Sequence, residues 1–93
     1  MIRGFRDKRT EIIWSGRFAR GLHPDIQAVA LRKLRLLNRA ESLDDLRVPP
    51  GNRLESLKGS RQGQHSIRIN DQWRICFAWR EGGASDAEIV DYH

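Results

Sequence analysis

One cysteine, Cys76, stands in the 93 residues. A lone thiol rules out an intrachain disulfide and leaves no cysteine cluster for zinc. The chain therefore suits a reducing compartment. No apolar run approaches the roughly 20 residues that span a bilayer, and the opening Met1-Ile2-Arg3-Gly4-Phe5 lacks the apolar stretch of a secretory signal. A cytoplasmic location and no membrane contact are expected. Repeats and low-complexity tracts are missing, so disorder and solenoid folds are excluded. Length is short as well: one domain over residues 1–93 fits, and two cores do not. Acids are the scarcer charge, with 12 Asp and Glu against 17 Lys and Arg, a net of +5. That balance favours a polyanionic partner.

The patterning present is that of an α+β domain. Ile2 to Phe5 alternates as a short edge strand would. Asp7 to Gly21 reads as a short helix and a loose loop. The clearest helix starts at Pro24, favoured at a first helical position, with Asp25 facing the positive end of the helix dipole. Ile26, Ala30, Leu34 and Leu37 make its apolar stripe, flanked by Val29 and Leu31, and it fades near Ala40. Arg32, Lys33, Arg35 and Arg39 lie mostly off that stripe, as a solvated face. Pro49-Pro50-Gly51 breaks the chain, so Ser42 to Asn52 is expected to be a loop.

The remainder predicts an antiparallel meander. His65, Ile67 and Ile69 alternate with Ser66, Arg68 and Asn70. A turn at Asn70-Asp71 follows. Trp73, Ile75, Phe77 and Trp79 then alternate with Arg74, Cys76, Ala78 and Arg80. Glu81-Gly82-Gly83 turns the chain into a last strand, Ala87 to Tyr92. Helices first and a meander second predict helices on one sheet face.

The chemistry is expected on the other face. Ile67, Ile69, Ile75 and Phe77 supply the packed side, and Arg68 and Arg74 project opposite. From Asn52 to Arg80 there are six cations (Arg53, Lys58, Arg61, Arg68, Arg74, Arg80) against two acids, Glu55 and Asp71. The planar fork of arginine donates two hydrogen bonds to one phosphate. Trp73, Trp79 and Tyr92 lie among these cations and offer rings to unpaired bases, although Trp73 and Trp79 serve a core equally well. Arg68 could instead pair with an acid across the sheet, Cys76 and His65 could simply pack, and His23 could cap the helix behind it. Three scattered histidines do not form a metal-ligand set.

Asp91-Tyr92-His93, following the strand-forming Glu88-Ile89-Val90, offer a carboxylate, a phenol and an imidazole together. Cleaving RNA by its own 2′-hydroxyl needs a proton acceptor, a proton donor and cations for the developing charge. Histidine and arginine meet those needs without a metal or cofactor.

Arg53-Leu54-Glu55-Ser56-Leu57-Lys58-Gly59, the stretch from Gln64 through Asn70-Asp71-Gln72-Trp73-Arg74 to Phe77, and Ile89-Val90-Asp91-Tyr92-His93 together resemble the HigB-type toxins of the RelE/ParE superfamily. The resemblance covers nearly the whole chain. It implies a RelE-like fold, ribosome-dependent cleavage of mRNA, and neutralisation by a helix-turn-helix antitoxin of the HigA or GraA type, through which alone operator DNA would be reached. It places active-site roles on Asp91, Tyr92 and His93, with His93 as proton carrier, Asp91 as its orienter or partner, and Tyr92 stacking on a base or positioning the 2′-hydroxyl. Phosphate contacts fall on Lys58, Arg68 and Arg74, which would stabilise the pentacovalent phosphate. Arg53 and Arg61 extend the basic surface. Some relatives carry a histidine where this chain has Glu55. Two other readings share the fold: a gyrase poison of the ParE kind, which generally lacks the terminal Asp-Tyr-His set, and a non-catalytic binder of the ribosome or its assembly machinery. The positive charge predicts an acidic antitoxin surface, either over the Arg68–Arg74 region or on the helical side.

Overall fold

The computed structural model describes residues 1–92. Helix α1, Lys8–Trp14, opens where Asp7 Oδ1 accepts from the Thr10 amide at 3.0 Å, satisfying one of the unpaired donors of its first turn. Helix α2, Pro24–Arg39, opens on His23, whose Nδ1 accepts from the Asp25 amide at 3.1 Å. Capping is thus what His23 does. Four strands follow: β1 Glu55–Ser56, β2 Gln64–Arg68, β3 Trp73–Arg80 and β4 Gly83–Asp91. They pair antiparallel in the order β1-β2-β3-β4.

Both helices cover one face of this sheet. Ile13, Ala30, Leu34 and Leu37 pack onto Ile67, Ile75, Phe77, Ala87 and Ile89 in one buried cluster. The expected α+β layering is what forms. The stripe on α2 differs by one position: Gln27 is buried, whereas Ile26 is only partly so. Gln27 goes inside because its amide is fully used. Its Oε1 accepts from the Ala19 amide at 2.9 Å, and its Nε2 donates to the carbonyls of Ala19 at 2.7 Å and Leu22 at 2.8 Å. A buried polar group is tolerated when it is hydrogen-bonded. The segment between the helices is therefore pinned, not the loose loop that its glycines suggested.

Three further boundaries depart from the sequence pattern. Ile2 and Phe5 form isolated parallel bridges to Ala84 and Ala87 in place of a continuous edge strand. The last strand begins at Gly83, four residues before the expected Ala87. It carries a bulge opposite Phe77, with Asp86 at φ 55°, so Ala84 and Ala87 both reach the core despite their odd spacing. Ile2 and Phe5 share that spacing of three, which lets the N-terminal segment follow the kinked strand. The Pro49-Pro50 region forms two short 3-10 turns, Leu43–Arg47 and Pro50–Asn52. Buried Asn52 anchors it, accepting from Lys33 Nζ at 2.5 Å and donating to the Leu46 carbonyl at 3.1 Å. The Glu81-Gly82 turn fits a two-residue hairpin, with both residues at positive φ.

The outer edge of β4 is covered. Beyond the bridges to residues 2–5, the Ile89 amide donates to Thr10 Oγ1 at 3.0 Å, and Arg9 Nη2 donates to the Ile89 carbonyl at 3.0 Å. Covering an edge in this way blocks strand addition by other chains. No described helix is long and apolar enough to cross a membrane.

Candidate RNA-binding face and active site

The sheet face opposite the helices carries two rows of side chains set by strand register. Glu55, Ser66, Cys76 and Glu88 align across all four strands, and Arg68, Arg74 and Val90 align beside them. Arg74 lies at the centre and is only 9% exposed. Its Nε donates to Ser66 Oγ at 2.7 Å, and its Nη2 donates to the Arg53 carbonyl at 2.6 Å and the Ser66 carbonyl at 3.3 Å. Glu55 Oε1 stands 3.7 Å from the same Nε. The guanidinium is thus held in one orientation before any ligand arrives. Over it lies Tyr92, with the Arg74 Cζ 5.7 Å from the ring centroid. Tyr92 is 40% exposed, so its ring has one side on a cation and another open to solvent.

The remaining cations divide by partner. Arg61 donates to Gln64 Oε1 and Glu88 Oε1, each at 3.1 Å, and Arg6 approaches the same Glu88 oxygen at 3.9 Å. Arg68 pairs with Asp71 across its own turn and not with an acid across the sheet. Arg53 takes the left-handed conformation at φ 45°, and its side chain, like that of Lys58, is exposed. Three of the five expected phosphate contacts, Arg61, Arg68 and Arg74, share this face, and all three already hold acids. The face is an alternation of charges, not the uniformly positive surface that the residue count implied.

Trp73 and Trp79 are not on this face. Both pack against the helical core, Trp73 beneath Arg9 at 5.4 Å and Trp79 edge-on to Phe77. Only Tyr92, of the three aromatics expected among the cations, meets them. Asp91 closes β4 opposite Trp73, and its Oδ2 accepts from Gln72 Nε2 at 3.1 Å. Strand alternation sends Asp91 and Tyr92 to opposite faces. The Tyr92 amide donates to the Gln72 carbonyl at 2.6 Å, so order extends past the strand to Tyr92. His93, the expected proton carrier, lies outside the described residues.

Cys76 is fully buried under the Glu55–Arg74 and Arg61–Glu88 pairs. Burial pushes its thiol pKa up, with Arg61 and Arg74 opposing and Glu88 and Glu55 reinforcing the shift. The group stays a neutral packing residue, as expected. His65 is on the helical side, its ring 6.0 Å from Phe77 and its Nδ1 3.3 Å from Ser56 Oγ. Burial lowers its pKa.

Ser66 and Glu88 were not among the sequence candidates, and Glu55 entered as an acid among the cations and as a departure from relatives. Alternation places Ser66 and Glu88 on the outer face, but only strand register shows that they meet Arg74 and Arg61. No group of three or more His, Cys, Asp or Glu side chains able to hold a metal occurs among the described residues.

A model of the HigB-like toxins, described as RelE-like toxins of type II toxin–antitoxin systems, matches residues 3–93. The chain is 42% identical over 81 residues to "Toxin HigB-1" of Vibrio cholerae serotype O1, covering 86% of this chain and 85% of that protein. It is 36% identical over 55 residues to an uncharacterized protein of Haemophilus influenzae, covering 59% and 54%. Among solved structures it is similar to the YoeB–YefM complex from Staphylococcus aureus, at TM-score 0.62 and 16% identity over 100% of this chain and 98% of that one. A histidine-to-glutamine variant of YafQ from E. coli gives TM-score 0.65 at 12% identity over 98% and 91%. The two structural likenesses concern the fold.

Proposed function

The chain belongs to the HigB-like family of RelE-like toxins of type II toxin–antitoxin systems, and we propose that it acts as an endoribonuclease that cuts mRNA on the translating ribosome. The observation that carries this reading is the buried, oriented Arg74 guanidinium beneath the half-open ring of Tyr92. A base stacked on the outer side of Tyr92 brings its phosphate toward Arg74. Stacking of this kind contributes about 1–3 kcal/mol per base. Ser66 and Arg53 hold the Arg74 guanidinium in one orientation, which supports a proposed role for its positive charge in stabilising charge that develops on the phosphate. In many enzymes, donors preorganised in this way contribute more to the rate than any other effect.

The reaction proceeds by attack of the 2′-hydroxyl on the adjacent phosphorus. Its proton leaves to a base, the P–O5′ bond breaks, and the 5′-oxygen takes a proton. His93 is the proposed proton carrier because an imidazole titrates near neutrality. Asp91, held by Gln72 on the strand side away from Arg74, is proposed to orient it from the end of β4. Exposed Lys58 and Arg53, at the rim, are the cations set to meet incoming phosphates, with Arg61 and Arg68 exchanging acids for RNA. Side chains suffice for each of these steps, so we propose chemistry independent of a metal ion.

The ribosome enters because the face is small and half neutralised by its own acids. Such a surface grips free RNA weakly. A transcript held in the decoding site arrives already positioned. The partner in a type II system is an antitoxin, and we propose one with a helix-turn-helix domain that alone carries the pair to operator DNA. The test is purified protein mixed with mRNA, with and without translating ribosomes. Cuts that need the ribosome support the reading, and equally fast cutting of naked mRNA contradicts its ribosome dependence.

A further inference from the structure

Arg53 sits in the left-handed region of backbone conformation, at φ 45° and ψ 55°. A residue other than glycine is strained there, and such strain persists only where the surrounding structure over-determines it. Here the strained residue has a visible use. Its carbonyl oxygen accepts from Arg74 Nη2 at 2.6 Å, so it forms one wall of the seat in which the buried guanidinium rests.

What over-determines Arg53 lies one residue before it. Asn52 is fully buried. Its Nδ2 donates to the Leu46 carbonyl at 3.1 Å and to the Val48 carbonyl at 3.4 Å, and its Oδ1 accepts from Lys33 Nζ at 2.5 Å. The backbone is tied as well: the Asn52 amide donates to the Pro49 carbonyl at 3.0 Å, and the Arg53 amide to the Pro50 carbonyl at 3.1 Å. Lys33 departs from its neighbours on α2. Arg32, Arg35 and Arg39 are exposed, whereas Lys33 is half-buried with its ammonium on Asn52. Burial lowers its pKa, and the charges of Arg32 and Arg68 lower it further. Holding an ammonium in such a place costs free energy, which the hydrogen bond to Asn52 partly offsets. A line of contacts thus runs from α2 through Lys33, Asn52 and the Arg53 carbonyl to Arg74 on β3.

We propose that Asn52, seated by Lys33, is a positioning residue for Arg74. It holds the Arg53 carbonyl in the left-handed turn, and that oxygen fixes one arm of the guanidinium. Asn52 is too deeply buried to touch RNA, so its influence on cleavage passes through Arg74. The effect on rate rests on the endoribonuclease reading, whereas the effect on the orientation of Arg74 does not. An asparagine that merely stabilised its loop would act on melting temperature and on rate without regard to Arg74.

The experiment compares Asn52→Ala, Lys33→Met and Arg74→Ala, and each of the first two combined with Arg74→Ala, for cleavage on translating ribosomes below the melting temperature of every variant. Lys33→Met removes the ammonium, keeps most of the stem, and decides the matter where Asn52→Ala fails to fold. Misplacing a catalytic group by about 1 Å can cost about 10²-fold, so Asn52→Ala should lose about 10- to 100-fold in kcat. KM should change little, because Arg74 acts on the transition state. Lys33→Met should lose several-fold in kcat. In the Arg74→Ala background neither change should lower kcat by more than about 2-fold, the range within which independent effects already scatter. The NMR signal of the Arg74 Nε–H, which donates to Ser66 Oγ in the wild type, should shift in both variants and exchange faster with water. Equal losses with and without Arg74, wild-type kcat in the folded variants, or an unmoved Arg74 signal overturns the positioning role. Wild-type protein that leaves translated mRNA uncut overturns the endoribonuclease reading instead, and the Arg74 signal still decides whether Asn52 and Lys33 position the guanidinium.

Discussion

Arg74 sits between Ser66, which accepts its Nε hydrogen bond at 2.7 Å, and Tyr92, whose ring centroid is 5.7 Å from its Cζ. The cation is thereby fixed from below by a hydroxyl and roofed by a half-exposed ring.

Arg74→Lys is expected to lower the cleavage rate by about 10²–10³-fold, the scale for removing one preorganised charge-stabilising donor. A lysine cannot reproduce the fork that serves Ser66 and the Arg53 carbonyl together. The unmet groups should also lower stability by about 1–3 kcal/mol. Arg39→Lys, on the exposed face of α2, should change neither quantity. Rates and melting temperatures measured side by side check this, and equal rates for the two variants would show that the reactive surface is elsewhere.

At Tyr92 the ring and the hydroxyl can be separated. Tyr92→Phe keeps the cation–π contact with Arg74 and the stacking surface, so RNA binding in the ribosomal complex should persist. Tyr92→Ala should weaken it by about 1–3 kcal/mol. Similar binding losses in both variants would assign the effect to the hydroxyl instead.

His65 makes stability depend on pH. Burial lowers its pKa below the ordinary value of 6.5, so the folded state favours the neutral ring. The unfolded chain then binds the proton more readily, and stability rises with pH. This contribution is present above pH 6.5 and is lost as pH falls through the lowered folded value. Urea unfolding at pH 7.5 and pH 5 should show a larger loss for the wild type than for His65→Gln. Identical losses would remove His65 from the acid sensitivity.

At Gly83 the N-terminal segment crosses close to β4. A Cβ there would stand 3.0 Å from the Met1 carbonyl oxygen and 2.5 Å from Arg3 Nε. The arginine can swing away, but the backbone oxygen is held by the Ala84 amide at 2.9 Å. Gly83→Ala should therefore cost about 1–3 kcal/mol, the usual range for overpacking. Chemical denaturation measures it, and wild-type stability would mean that the N-terminal segment yields freely.

The layering, the long helix and the central strands were legible because Ala30, Leu34 and Leu37, or Ile75 and Phe77, repeat at periods that physics ties to helix and strand. Gln27 was not, because a polar residue in a core is justified only by the loop that folds back onto it. The early start of β4 was hidden by the bulge, which breaks the two-residue period at Asp86. Alternation and the charge pattern pointed to Arg74, Tyr92 and Lys58, and resemblance added their expected roles. It did not supply their partners: the acids on Arg61, Arg68 and Arg74 come from strand register and turn geometry, which one sequence does not encode locally.

The proposed cleavage of translated mRNA, with Arg74 as charge stabiliser and His93 as proton carrier, is tested most directly by mapping mRNA 5′-ends after brief induction. His93→Gln at matched expression is the comparison. New ends inside translated codons are expected for the wild type. For the variant they should be reduced by about 10²–10⁴-fold, the range for losing a general acid or base. Growth arrest with intact mRNA in the wild type, or undiminished cutting by His93→Gln, would contradict this mechanism.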